Sequence, residues 1–191
     1  MPIEIRPATA ADEPIITQIR RDTWLAAYAQ IIDPVIIERA TAPRDGASGG
    51  PRPHRTSLVA VASPEAGIAG AGVIVGYASF GPERTVASVA SVGSGAPPGG
   101  LSPAGLAGET GELYALYVTP AHWSTGAGRA LTDAALDRLR AAGYRRAVLW
   151  TLIENARARR FYAKAGFAPD GATNVLPALG QVEELRYARD L

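Results

Sequence analysis

Val118-Thr-Pro-Ala-His-Trp-Ser-Thr-Gly-Ala-Gly-Arg129 carries the end of a strand through a turn with two glycines into a helix. A turn of this kind aims several free backbone N–H groups at one spot, and the roughly half-unit positive charge of the helix N-terminus adds to them. Glycines let a phosphate come close to the main chain, so a diphosphate is the natural guest. The same residues also suit a plain strand–helix connection whose glycines only relieve backbone strain. Two nucleotide motifs fail on detail. A P-loop needs Gly-Lys-Ser/Thr, whereas Arg129 and Ala130 follow Gly128, and a dinucleotide fingerprint wants glycine at position 131, which is leucine.

Upstream, Leu113, Ala115 and Tyr117 alternate with Tyr114, Leu116 and Val118, apolar on both faces, which predicts a strand in the middle of a sheet, ended by Pro120. Downstream, residues 126–142 predict a helix with Leu131, Ala135 and Leu139 on one face and Thr132, Asp133, Asp137 and Arg140 largely outward, stopped by Gly143. Residues 147–152 read as a second buried strand, 155–165 as a helix ended by Gly166, and 183–188 as a last alternating strand. Toward the N-terminus, Ile3, Ile5 and Pro7 suggest a short strand, and Thr9 or Asp12 caps a helix carrying Ile15, Ile16, Ile19, Trp24 and Leu25. Pro34 starts a second helix. Residues 58–62 and 73–80 predict a hairpin around a Pro-Glu-Ala-Gly turn at 64–67. Residues 42–56 and 81–110, dominated by small residues and proline, are expected to be flexible loops or insertions. The order βααβββαβαβ is that of a mixed α/β sheet of about six to seven strands flanked by helices.

With 191 residues the chain suits one domain, spanning 1–191, that needs no covalent staples. Hydrophobic residues at 47%, charged residues at 19% and a formal charge of +1 produce no field that would draw nucleic acid or a membrane. The absence of cysteine excludes disulfides, thiolate nucleophiles and cysteine metal sites, and His54 and His122 alone make a poor zinc site, so no metal is expected. No apolar run approaches the roughly 18 residues of a membrane helix, and the opening Met-Pro-Ile-Glu-Ile-Arg does not read as a signal peptide, so a cytoplasmic protein is expected.

The second informative stretch is Asn155-Ala-Arg-Ala-Arg-Arg-Phe-Tyr-Ala-Lys-Ala-Gly-Phe167. Asn155 and Tyr162, seven apart, share one helix face about 10 Å apart, a distance that suits a long thin ligand. They equally suit an N-cap and a core aromatic. Taken with the glycine turn, in this order and spacing, the pattern resembles the GNAT superfamily of acetyl-CoA-dependent N-acetyltransferases. The resemblance covers nearly the whole chain and is strongest over residues 112–167.

The resemblance implies a sheet splayed between its two central parallel strands and acetyl-CoA as cosubstrate. Main-chain groups of Leu116, Tyr117 and Val118 would bind pantetheine, Ser124, Thr125, Gly126, Ala127, Gly128 and Arg129 would wrap the diphosphate, and Asn155 would hold the pantetheine arm. Tyr162 would protonate the departing thiolate and Glu112, directly or through water, would take the proton of the amine. Trp24 and Tyr28 would border the acceptor. Trp123 departs from the family, which usually has Gln or Arg there, so phosphate must be held by backbone N–H groups or by Arg129. The expected reaction is direct attack of a primary amine, of a small molecule or a peptide, in a ternary complex. Transfer of another acyl group, or an acyl-CoA sensor without turnover, are the alternatives. Relatives often pair, which leaves room for a homodimer.

Overall fold

A computed structural model describes residues 2–42, 55–63, 72–84 and 109–191. The turn at 64–67 and most of the two expected insertions lie outside the described residues. The elements are β1 (Ile3–Pro7), α1 (Glu13–Tyr28), α2 (Pro34–Thr41), β2 (Thr56–Ala62), β3 (Val73–Pro82), β4 (Thr110–Val118), α3 (Ala127–Ala141), β5 (Arg146–Leu152), α4 (Ala156–Lys164), β6 (Ala168–Leu176) and β7 (Val182–Asp190). They build one α/β domain around a seven-stranded sheet in the order β1-β2-β3-β4-β5-β7-β6. Neighbours are antiparallel except β4 and β5. A parallel pair needs a crossover, and α3 supplies it.

Leu131, Ala135 and Leu139 of α3 pack with Leu58, Phe80 and Leu149 on one face of the sheet. On the other face Ile16 and Ile19 of α1 pack with Val59 and Tyr77. A third cluster joins Ile32, Ile37 and Leu152 to Trp24 and Tyr28. The start of α1 is tied to the edge strand: the Asp12 carboxylate accepts from Thr9 N (2.7 Å), Thr9 Oγ1 (2.9 Å) and both Nη atoms of Arg6 (2.7 and 2.8 Å).

Two local expectations are corrected. Thr132, read as outward, is fully buried, because its hydroxyl donates to the Gly128 carbonyl one turn back (2.8 Å) and needs no water. β6 was missing from the expected order. Its residues alternate only weakly, most are exposed, and Gly171 sits at φ +92° inside an irregular register between Pro169 and Thr173, which only an edge strand tolerates.

Candidate active site

β4 and β5 are nine and seven residues long. Yet they pair only at Thr110–Arg146, Gly111–Ala147 and Glu112–Val148. Beyond Glu112 the strands part. The register between β3 and β4 shifts so that Phe80 faces Leu113 and Ser79 faces Ala115, leaving Tyr114 unpaired as a bulge. A bulge bends and twists its strand, which carries β4 away from β5. The space between them is a cleft of about 510 Å³, with Leu113 to Val118 on one wall and Trp150, Thr151 and α4 on the other.

Alternation decides which main-chain groups face it. Thr119 N donates to Val75 O (2.8 Å), which makes Val118 and Gly76 a non-hydrogen-bonded pair. Tyr117 therefore exchanges bonds with Tyr77, and the N–H and C=O of Leu116 and Val118 turn toward β5. Of the three residues expected to bind through their main chain, Tyr117 is thus committed to β3. The Val118 carbonyl is also taken, by Trp123 Nε1 (2.7 Å) and Thr23 Oγ1 (3.1 Å). Both main-chain groups of Leu116 and the N–H of Val118 are left for a ligand.

At the end of β4 the chain enters the glycine turn. Ser124 (φ 66°) and Gly126 (φ 97°) are left-handed, and Gly126 caps α3 without a side-chain acceptor. The first N–H groups of a fifteen-residue helix are therefore uncapped at the mouth of the cleft. Ser124, Gly126, Gly128 and Arg129 line the cleft, whereas Thr125 turns its hydroxyl to His122 O (2.8 Å) and Ala127 is buried in the core, offering main chain alone. Arg129 is engaged by Asp133 one turn on (2.7 Å). Cations that the sequence reading passed over stand nearby: Arg157, Arg160 and Lys164 on α4 also line the cleft, Arg157 lying 4.1 Å over the Trp123 ring. Their spacing of three and four residues was the available signal.

On α4, Asn155 is both the N-cap, accepting from Ala158 N (3.0 Å), and a cleft residue whose amide approaches the Tyr28 hydroxyl. Tyr162 also faces the cleft, its ring packed edge-on to Phe161 and Phe167. Burial, reinforced by Tyr117, pushes its phenol well above the ordinary value, so it is protonated at neutral pH. Trp24 and Tyr28 form an edge-to-face pair (5.3 Å, 82°), but only Tyr28 reaches the cleft. Trp24 packs with Leu25, Ile37 and Leu152, its buried indole standing beside the Tyr117 hydroxyl.

Glu112 stands apart from its expected surroundings. It is fully buried, does not line the cleft, and accepts from Arg84 N (2.8 Å), Arg84 Nε (3.0 Å) and Arg84 Nη2. A different carboxylate, Glu184 of β7, lies close enough to Tyr28 and Tyr117 to act on both electrostatically. Its exposed-looking, alternating strand gave no hint of this. Among the described residues no three His, Asp or Glu side chains gather where a metal could sit.

The pattern of the Acetyltransferase (GNAT) family matches residues 17–167 of the chain. A mycothiol acetyltransferase of Beutenbergia cavernae is 55% identical over 60 residues, which is 31% of this chain and 20% of the relative. The match thus spans about a fifth of that relative's length. Among solved structures, the PaiA N-acetyltransferase of Thermoplasma acidophilum in complex with coenzyme A superposes with a TM-score of 0.63 at 18% identity, covering 97% of this chain and 98% of that one. The Salmonella typhimurium protein yncA with acetyl-CoA gives 0.61 at 22% identity, covering 100% and 95%.

Proposed function

The chain belongs to the Acetyltransferase (GNAT) family, and from that premise we propose that it moves acetyl from acetyl-CoA to a primary amine by direct attack, with both substrates bound at once. The observation that carries this reading is the parting of β4 and β5, which leaves Leu116 and Val118 with main-chain groups facing a cleft that ends at the uncapped start of α3.

The donors present fit such a substrate. Leu116 N–H and C=O and Val118 N–H match the amides of a pantetheine arm, and the N–H groups from Ser124 to Arg129 match a diphosphate. Arg157, Arg160 and Lys164 supply the charge that Trp123 does not. The main-chain N–H groups turned from β4 into the cleft are suited to polarising a carbonyl held between the strands. Tyr162, neutral and facing the cleft, holds a proton where a thiolate departs. Tyr28 borders the side from which the amine enters.

The test measures acetyl-CoA binding by calorimetry and release of the CoA thiol with ethanolamine, putrescine, lysine and glucosamine as acceptors. The expected outcome is binding with amine-dependent thiol release. Tyr162→Phe is expected to lower kcat about 100-fold while leaving the Kd for acetyl-CoA unchanged. Tight binding with no thiol release for any amine would favour the sensor reading, and full turnover by the phenylalanine variant would remove the acid role from Tyr162.

A further inference from the structure

Resting on the acetyl-transfer reading, we propose that Glu184, and not Glu112, is the carboxylate that takes the proton from the acceptor amine. An alkyl ammonium near pKa 10.4 is neutral about once in two thousand molecules at pH 7, so the reaction needs a group that removes this proton. Such a group needs a free oxygen, a place beside the acceptor side of the cleft, and a proton affinity above that of an ordinary carboxylate.

Glu112 meets none of the first two conditions. Arg84 supplies three donors to its two oxygens, and its side chain is shut off from the cleft. Glu184 differs in its bonding, and although its side chain does not line the cleft either, it shares a sheet face with Trp150, which does. In the register of β5 with β7, Leu152 faces Glu184 and Trp150 faces Arg186, so all four side chains share one face of the sheet. Leu152 packs with Trp24 and Tyr28, so this is the α1 face, and Trp150 lines the cleft. Glu184 therefore stands next to the acceptor wall.

Its bonding is incomplete in a way its neighbours' is not. Glu83 pairs with Arg186 (2.7 Å), Asp170 with Arg186 (2.9 Å) and Arg146 (3.4 Å), and Glu112 with Arg84. Glu184 has no ion pair among the described residues. One oxygen, Oε1, accepts from Asn174 Nδ2 across the β6–β7 pair (3.0 Å), and Oε2 takes no described donor. A half-buried carboxylate without an ion-pair partner is costly, and an incoming ammonium offsets that cost.

The groups facing it from the surrounding elements are Arg84, Glu112 and Tyr117 from the β3–β4 side, Tyr28 from α1 and Asn174 from β6. Burial raises the carboxyl above its ordinary value, Asn174 and Arg84 lower it, and Glu112 raises it again, with a net upward shift. The two tyrosines, themselves pushed up by burial, remain neutral and add no competing charge.

Glu184 takes one of the three ammonium protons. The freed nitrogen lone pair forms the C–N bond at the thioester carbonyl, and the C–S bond breaks with its electrons going to sulfur. Tyr162 gives its proton to that sulfur and regains one from the nitrogen of the new amide. Glu184 releases its proton to water, leaving amide, CoA thiol and one proton in solution.

The experiment compares wild type, Glu184→Gln, Glu184→Asp and Glu112→Gln with acetyl-CoA and whichever of the four amines turns over fastest. Expected for Glu184→Gln are an unchanged acetyl-CoA Kd, kcat/KM about 100- to 1,000-fold lower at pH 7, and loss of the acidic limb of the pH profile. Glu184→Asp is expected to keep the limb at reduced rate. In the free protein, the wild-type-minus-Gln infrared difference spectrum should show a carboxyl titrating above the ordinary glutamate value near 4.3. An acidic limb that survives in Glu184→Gln, its disappearance in a folded Glu112→Gln, or a carboxyl titrating at the ordinary value each overturns the assignment. A wild type that turns over no amine overturns the transfer reading and Glu184's role with it, a result distinct from turnover that ignores Glu184.

Discussion

Position 123 shows how one side chain can change the way a site is held together without emptying it. The Trp123 indole donates to the Val118 carbonyl and carries Arg157 on its face, so it braces the end of β4 and positions a cation at the cleft. If the anion is held by main chain and by α4, the indole is a support, not a ligand. Trp123→Phe is expected to keep the ring packing and lose one hydrogen bond, costing about 1 kcal/mol of stability by thermal unfolding. The Kd for acetyl-CoA should move less than threefold, and a tenfold rise would mean that the indole itself contacts the ligand. The residue expected to share this work, Arg129, is committed to Asp133. Its ion pair was legible as an i, i+4 spacing, but the stronger claim of the phosphate loop on the same residue obscured it.

Among the elements, α4 lines the cleft with Asn155 and Tyr162 and with three cations, Arg157, Arg160 and Lys164. Arg160 and Lys164 have no ion pair among the described residues, so their charge is available to a ligand. Reversing both, Arg160→Glu with Lys164→Glu, is expected to weaken acetyl-CoA binding about tenfold at low salt, with the difference shrinking as ionic strength rises, because exposed charges are screened. Calorimetric titrations at two salt concentrations check this, and a salt-independent loss would indicate a structural defect in α4 instead. Element by element, legibility followed the strength of the local signal. β4 and β5 are buried on both faces and read as apolar runs, and α3 and α4 are each stopped by a glycine. β6 lies at the edge, with Pro169, Asp170 and Gly171 where a central strand would need hydrogen-bond donors and side chains, so its strand character comes from pairing with β7.

For the whole molecule, the Arg6–Asp12 pair ties the edge strand β1 to α1, the helix whose Thr23, Ala27 and Tyr28 line the cleft. The Arg6 guanidinium, with the Thr9 N–H and hydroxyl, holds the Asp12 carboxyl well below the usual carboxylate range. A folded-state value below the unfolded one stabilises the fold above the unfolded pKa near 3.9, and that contribution is lost as pH falls through the folded value. Asp12→Asn is therefore expected to lower the Tm at pH 7, and the gap to wild type should close as pH drops below about 4. Thermal unfolding followed over this range would sink the argument if the gap stayed constant.

Local chemistry is what the sequence determined by itself. The left-handed turn at Gly126, the helix stops at Gly143 and Gly166, the strand–turn–helix order and the helical spacing of Asn155 and Tyr162 all depend on residues within a few positions of one another. Tertiary structure alone decided which side chains are free to act. Glu112 meets Arg84 across 28 positions, Trp24 drops into a core cluster, and Glu184 reaches Tyr28 and Tyr117 from a strand near the end of the chain. The reason is physical: burial and the charges around a carboxylate are sums over neighbours brought together by the sheet, and no local periodicity records them.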